Sequence, residues 1–359
     1  MARELNLSRL FSSLQNHLFW NCLMLLRAFF LTLLSSLLFA STSLAGSNNS
    51  QNPTLTIYTY DAFAAEWGPA PLLKSGFEKQ CGCTINFVAA DSSIGALRKV
   101  QLEGESTKAD IVLGLDTSLV GQANALNLFA PHNVDVSALN VPNNWASDNF
   151  VPFDYGYLAM IYNKELLPDP PTSFTDLAQN SSDIKIVIQD PRSSTPGLGL
   201  VLWLQAAYAE KSADLWAEIA PSVITMTRGW SESYALFLDG EADMVLSYTT
   251  SPAYHKIVES DERYAAALFE EGQYTQIEVA GILQSSPNKQ LAQDFLTYLI
   301  SPEAQKIIPT TNWMYPVANV ELPPKFAQLP IPKTKLLLDD EQVNENSSAW
   351  IAQMLAAFQ

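Results

Sequence analysis

From residue 54 onward, short apolar or alternating stretches take turns with apolar positions at helical spacing. Thr54 to Tyr60 alternates and is rich in β-branched residues, which predicts a strand. Pro71 to Gln80 places Leu72, Leu73, Gly76 and Phe77 on one side of a helix. Thr84 to Ala89 reads as a second strand. Ile94, Leu97, Val100 and Leu102 mark a second helix that stops at Gly104. Asp110 to Leu115 is a third strand, with a short helix behind it. This β-α-β-α-β order predicts a parallel sheet covered by helices.

Phe150 to Asn163 is apolar and aromatic almost throughout, as expected of a long strand buried on both faces. A second α/β series follows: strands at Lys185–Gln189, Ser222–Thr227 and Asp243–Ser247, with helices at Gly197–Glu210 and Ser231–Leu238. Gln276 to Leu283 reads as a return crossing, and helices at Lys289–Ile300 and Pro302–Ile308 rejoin the first series. The pattern predicts an α/β fold of two lobes joined by two crossing strands. The expected boundaries are 54–152 with 277–345 for lobe 1, and 153–276 for lobe 2. Ligands in such sheets sit beyond the carboxyl ends of the strands, here facing each other across a cleft.

The segment before residue 54 changes the picture of where the chain works. Arg3, Arg9 and Arg27 precede or interrupt apolar runs, Phe29 to Ala40 is an apolar core, and Ser43-Leu44-Ala45 offers small residues for cleavage. Residues 1–45 are expected to be a secretory signal peptide. Cys22 lacks the small residues that a lipid-attachment site needs before it. Residues 46–53 are polar and read as a flexible lead. Cleavage leaves 314 of the 359 residues, a length suited to two lobes, with no apolar run of the ~20 residues a membrane span needs. A soluble, exported, periplasmic protein is expected.

The whole chain has a formal net charge of −17. Removing the signal takes away three Arg and one Glu, which leaves about −19. Such acidity argues against nucleic acid or an anionic membrane surface as partner. Two cysteines remain, Cys81 and Cys83, and the histidines His132 and His255 lie far from them, so no metal site is expected. A Cys81–Cys83 disulfide and two free thiols are both open readings. Neither would add much stability, because the loop is so small.

The candidate chemistry lies in residues expected at strand ends. Asn312-Trp313-Met314-Tyr315, Gly229-Trp230-Ser231 and Ser247-Tyr248-Thr249-Thr250-Ser251 each set aromatic rings beside small polar groups. Aromatic faces with a few hydrogen-bonding groups suit a flat, cationic organic ligand. No concentration of His, Cys or paired carboxylates suggests catalysis, so a binder rather than an enzyme is expected.

Longer motifs carry a resemblance. Tyr58 to Phe63 with Trp67-Gly68-Pro69, Phe150 to Tyr157, Gln189 to Leu200, Val245 to Tyr254 and Asn312 to Val320 resemble segments of the bacterial periplasmic thiamine-binding proteins. These are the soluble receptors of thiamine ABC importers, and the likeness spans about residues 54–325. The resemblance implies the type II periplasmic solute-binding clamshell. It implies no cofactor beyond the transported ligand: thiamine, thiamine monophosphate or thiamine diphosphate. It further implies a monomer that hands its ligand to a membrane permease and ATPase. Carried over, Trp230, Tyr248, Tyr254 and Trp313 would surround the ligand rings, with Tyr60 nearby. Ser194 and Thr195, ahead of a helix, would meet the hydroxyethyl or phosphate end. Thr249, Thr250 and Ser251 would supply polar contacts, and Asp61 or Asp91 a carboxylate for the aminopyrimidine or the ring charge. Where the family shows an acid-acid-glycine run, this chain has Asp91-Ser92-Ser93, so one carboxylate is missing. The competing expectations are a receptor for another cationic solute (a polyamine or ferric ion) and a thiamine-degrading enzyme. The last would need a nucleophilic Cys in the cleft, and Cys81 and Cys83 precede the second strand, at its far end.

Overall fold

A computed structural model describes residues 52–359. The expected signal peptide, residues 1–45, lies outside the described residues. Among those described, no helix is long and apolar enough to cross a membrane.

The first series comprises β1 (Thr54–Tyr60), α1 (Ala70–Cys81), β2 (Thr84–Ala90), α2 (Ser93–Glu103), β3 (Ile111–Asp116) and α3 (Thr117–Ala125). β1 runs parallel to both β2 and β3. The long strand β4 is Phe150–Asn163, with the bounds its largely apolar run predicts. The second series holds β5 (Ile186–Gln189), α4 (Thr195–Tyr208), α5 (Ser212–Ile219), β6 (Val223–Thr227), α6 (Trp230–Leu238) and β7 (Met244–Tyr248). β5 lies parallel to β6 and β7. An edge strand β8 (Tyr264–Ala267) precedes the return crossing β9 (Gln273–Leu283), then α7 (Lys289–Leu299) and a C-terminal α8 (Asp340–Ala356).

The strand order is β2-β1-β3-β9-β4-β7-β5-β6. Two strands connect the sheets. β9 lies antiparallel between β3 and β4. β4 pairs with β9 as far as Tyr157, and from Leu158 to Tyr162 it pairs with β7. Every residue of β9 is buried, as expected of a crossing strand covered on both faces, and from Ile277 to Leu283 its single polar side chain is Glu278.

Helices cover both faces. Between the first sheet and helices α1 and α7 lie Leu55, Ile57, Phe77, Phe153 and Phe295. The opposite face continues from Tyr58, Leu97 and Leu119 through Leu158 and Trp203 to Met354. Ile161, Val187 and Phe237 fill the space between the second sheet and α6. Burying each large side chain stabilises by about 1.5–3 kcal/mol. Helix α8 packs against α3, α4 and α5. At the turn after α1, Gly82 takes the left-handed conformation at φ +60°. Cys81 and Cys83 on either side of it are joined by a disulfide, the first of the two states the sequence leaves open.

Candidate functional site

A cleft of about 630 Å3 lies between the two series, a size typical of small-molecule sites. Its walls come from the carboxyl ends of β1 and β7 and from the N-termini of α2, α4 and α6.

Four of the five expected aromatics are held there by specific packing, and the fifth, Trp313, by its backbone. Tyr60 ends β1, and its ring lies over Gly114 at φ +88°, where a Cβ would overlap the ring. Trp230 opens α6 and stacks on Tyr234 with ring centroids 4.8 Å apart. Its Nε1–H donates to Ser247 Oγ at 2.7 Å, and Ser247 and Ser251 share a hydrogen bond of 2.7 Å. Behind it, the Tyr234 hydroxyl lies 2.9 Å from His255 Nε2, and His255 Nδ1 lies 2.6 Å from Glu259. Tyr248 ends β7, and its hydroxyl donates to Gln276 Oε1 at 3.1 Å. Gly156 leaves room for that ring, since a Cβ would stand 3.1 Å from it and closer still to Met314. Tyr254 meets Trp313 edge-on, with centroids 5.4 Å apart. Trp313 itself adopts φ +56°, a left-handed conformation uncommon for a bulky residue. It follows a short helix, Ile308–Thr311, where glycine or asparagine is usual.

The polar residues divide into three groups. Ser194 and Thr195 line the cleft at the start of α4, where Ser194 makes no side-chain capping bond and Pro196 follows. The first-turn N–H groups of a helix have no intrahelical acceptor, so this end favours an anion. Ser92 and Ser93 line the opposite wall, and the Ser92 hydroxyl caps α2 by accepting from Gly95 N–H at 3.0 Å. Asp61 and Asp91 also line the cleft. Partial burial raises the Asp61 carboxyl above its ordinary value. The Asp91 carboxylate is paired with Arg228 of the β6–α6 turn, and Arg98 Nη2 donates to Arg192 O at 3.1 Å nearby. These contacts tie the two series together at the mouth.

Thr249 and Thr250 are not on the cleft wall, and this corrects their expected role. Both are fully buried. The backbone explains the difference: Thr249 N–H donates to Tyr157 O at 2.8 Å, and Thr250 O accepts from Ala253 N–H at 2.9 Å. They turn the chain after β7, and of that run Tyr248 and Ser251 reach the cleft.

The cleft floor holds what the sequence reading missed. Glu278 of β9 lines the cleft, and in register it faces Asp116 of β3 on one side and Asp154 of β4 on the other. All three acids are buried. The Tyr60 hydroxyl donates to Glu278 Oε2 at 2.9 Å, with Asn312 Oδ1 3.1 Å from the same hydroxyl. Asn312 Nδ2 donates to Asp154 Oδ2 at 2.7 Å. Burial, and then the neighbouring Asp154, push the Glu278 carboxyl well above its usual range. Burial pushes Asp154 up to about 8 and Asp116 to about 6. Trp67, Tyr234, Leu238 and Val258 are also part of the missed lining. Tyr234 and Leu238 were findable, because they recur at i+4 and i+8 from Trp230 on one helix face.

A two-lobe α/β arrangement with an aromatic cleft at the strand ends defines a solute-binding clamshell. Residues 52–306 match the model for bacterial extracellular solute-binding proteins, and the chain belongs to that family. More particularly, it is 48% identical to a thiamine-binding periplasmic protein of Escherichia coli over 84% of this chain and 92% of the relative. The solved structure of a periplasmic thiamin binding protein superposes with a TM-score of 0.84 at 48% identity, covering 86% of this chain and 97% of that one. A ferric binding protein from Campylobacter jejuni reaches a TM-score of 0.72 at 20% identity, over 84% of this chain and 99% of its own, which shows the shared fold alone.

Proposed function

We propose that this chain is a periplasmic receptor that binds thiamine between its lobes and delivers it to the permease and ATPase of an ABC importer. The observation that carries the reading is a cleft in which Tyr60, Trp230, Tyr248, Tyr254 and Trp313 converge, in a chain 48% identical to thiamine-binding proteins. The rings offer π faces to a thiazolium and a pyrimidine. Each cation–π contact supplies ~0.5–2 kcal/mol, and sub-micromolar affinity needs more than about 8 kcal/mol. Burial of the ligand and hydrogen bonds to its aminopyrimidine supply the remainder. Asp61, Asp91, Ser92, Ser93 and Ser251 border the space for those bonds. Thiamine monophosphate and diphosphate are accepted by placing the ester at the open start of α4, beside Ser194 and Thr195.

The lobes are 54–152 with 277–345, and 153–276, and they close by flexing β4 and β9 where these pass between the sheets. The chain acts as a monomer and as a carrier, not as an enzyme. The disulfide between Cys81 and Cys83 supports the latter, because it leaves neither a free thiolate, and neither residue lines the cleft. Equilibrium dialysis against thiamine, its two esters, spermidine and ferric citrate, read by mass spectrometry, tests the proposal. Retention of intact thiamine species is expected. Retention of spermidine or iron alone, or cleavage of thiamine, would overturn it.

A further inference from the structure

We propose that Glu278 is the fixed counter-charge of the cleft, pairing with the permanently cationic ring of the ligand and so selecting cations over neutral molecules of the same shape. The inference rests on the thiamine reading and assigns that ligand's charge a specific partner. It begins from the cross-strand row Asp116, Glu278 and Asp154 on three adjacent strands. Like charges directly opposite one another destabilise a sheet, and buried acids normally pair with a base. Among the described residues, no Lys, Arg or His forms an ion pair with any of the three. Of the row, Glu278 alone lines the cleft. A carboxyl group that no base neutralises, ringed by aromatic faces, is complementary to a cation twice over.

The groups around Glu278 set its protonation. Asp154 faces it from β4, Asp116 from β3, Tyr60 from β1 and Tyr248 from β7, and each of these groups is either acidic or neutral. Burial and the two facing acids hold its proton in the ligand-free cleft, against the Tyr60 and Asn312 hydrogen bonds, which favour the charged form. A quaternary nitrogen carries no proton to share, so its arrival displaces the proton from Glu278 to solvent. Affinity for a fixed cation then rises with pH, while affinity for a neutral isostere does not.

The test compares thiamine with 3-deazathiamine, the isostere in which carbon replaces the quaternary nitrogen, by calorimetry in buffers of different ionisation enthalpy. The wild-type protein is expected to prefer thiamine by tenfold or more and to release a proton on binding it. In Glu278→Gln, which retains an acceptor for Tyr60, the preference should fall at least fivefold, to what the aromatic faces alone supply, without proton release. A variant that keeps the full wild-type preference would overturn the inference, as would one that loses both ligands equally, the mark of a merely structural role. Equal wild-type affinity for the two ligands would overturn it while leaving the thiamine reading intact. Wild-type protein that binds neither would overturn that reading itself.

Discussion

Trp313 couples stability and binding in opposite directions, and two substitutions separate them. Its φ of +56° places a bulky residue where a Cβ crowds the backbone, at a cost of about 1 kcal/mol relative to glycine. Comparing Trp313→Gly with Trp313→Ala cancels the lost packing against Tyr254, because both remove the whole ring. The glycine variant should be the more stable by about 1 kcal/mol, the reverse of the order of these residues inside a helix. At this chain length that corresponds to roughly 2 °C in thermal midpoint. Both variants should lose the same share of thiamine affinity, because each removes one cation–π face worth ~0.5–2 kcal/mol, a factor of roughly 2 to 30. Differential scanning calorimetry and ligand titration on the same preparations read the two effects. An alanine variant at least as stable as the glycine variant would refute the strain argument. Unchanged affinity in both would remove Trp313 from the site.

Trp230→Phe keeps a ring but loses the 2.7 Å bond to Ser247, and should cost about 1 kcal/mol of stability by denaturant titration, with only a small loss of affinity. Asp116 is raised by burial to about 6. The folded state therefore holds its proton more tightly than the unfolded chain. Its contribution is fully present below about pH 4 and is lost as pH rises through about 6, up to about 3 kcal/mol. Asp116→Asn should flatten that part of the stability–pH curve, and an unchanged slope would contradict the assignment. Reduction of the Cys81–Cys83 disulfide should leave thiamine affinity unchanged and shift the melting midpoint little, because the closed loop is so short. Arg228→Ala removes an exposed ion pair across the mouth and should speed ligand release by no more than about fivefold in stopped-flow fluorescence. A hundredfold change would make that pair a principal latch.

Most of the scaffold was legible because its elements are strongly periodic or fully apolar. β4 appeared with its observed bounds, since both of its faces are covered. α8 was not anticipated: apart from Val343 its sequence from Asp340 to Ser348 is polar, and Val343 and Met354 are its only buried residues. It is held by tertiary contact with α3, α4 and α5 rather than by its own pattern. The aromatic lining of the cleft was readable because tryptophan and tyrosine beside glycine and serine at strand ends are unusual in a core. Thr249 and Thr250 belong to the same run as Tyr248 and Ser251, and only the turn geometry separates wall from interior. Glu278 escaped notice because the crossing strand reads as a structural element. A single charge between Ile277 and Val279, in an otherwise apolar stretch, was its signal.

The most direct test of the central claim is calorimetric titration of the exported chain with thiamine, after unfolding and refolding have removed any ligand carried from the cell. Sub-micromolar, one-to-one binding that weakens in Trp313→Ala is the result this account predicts. Absence of binding to thiamine and to both of its phosphate esters would contradict it.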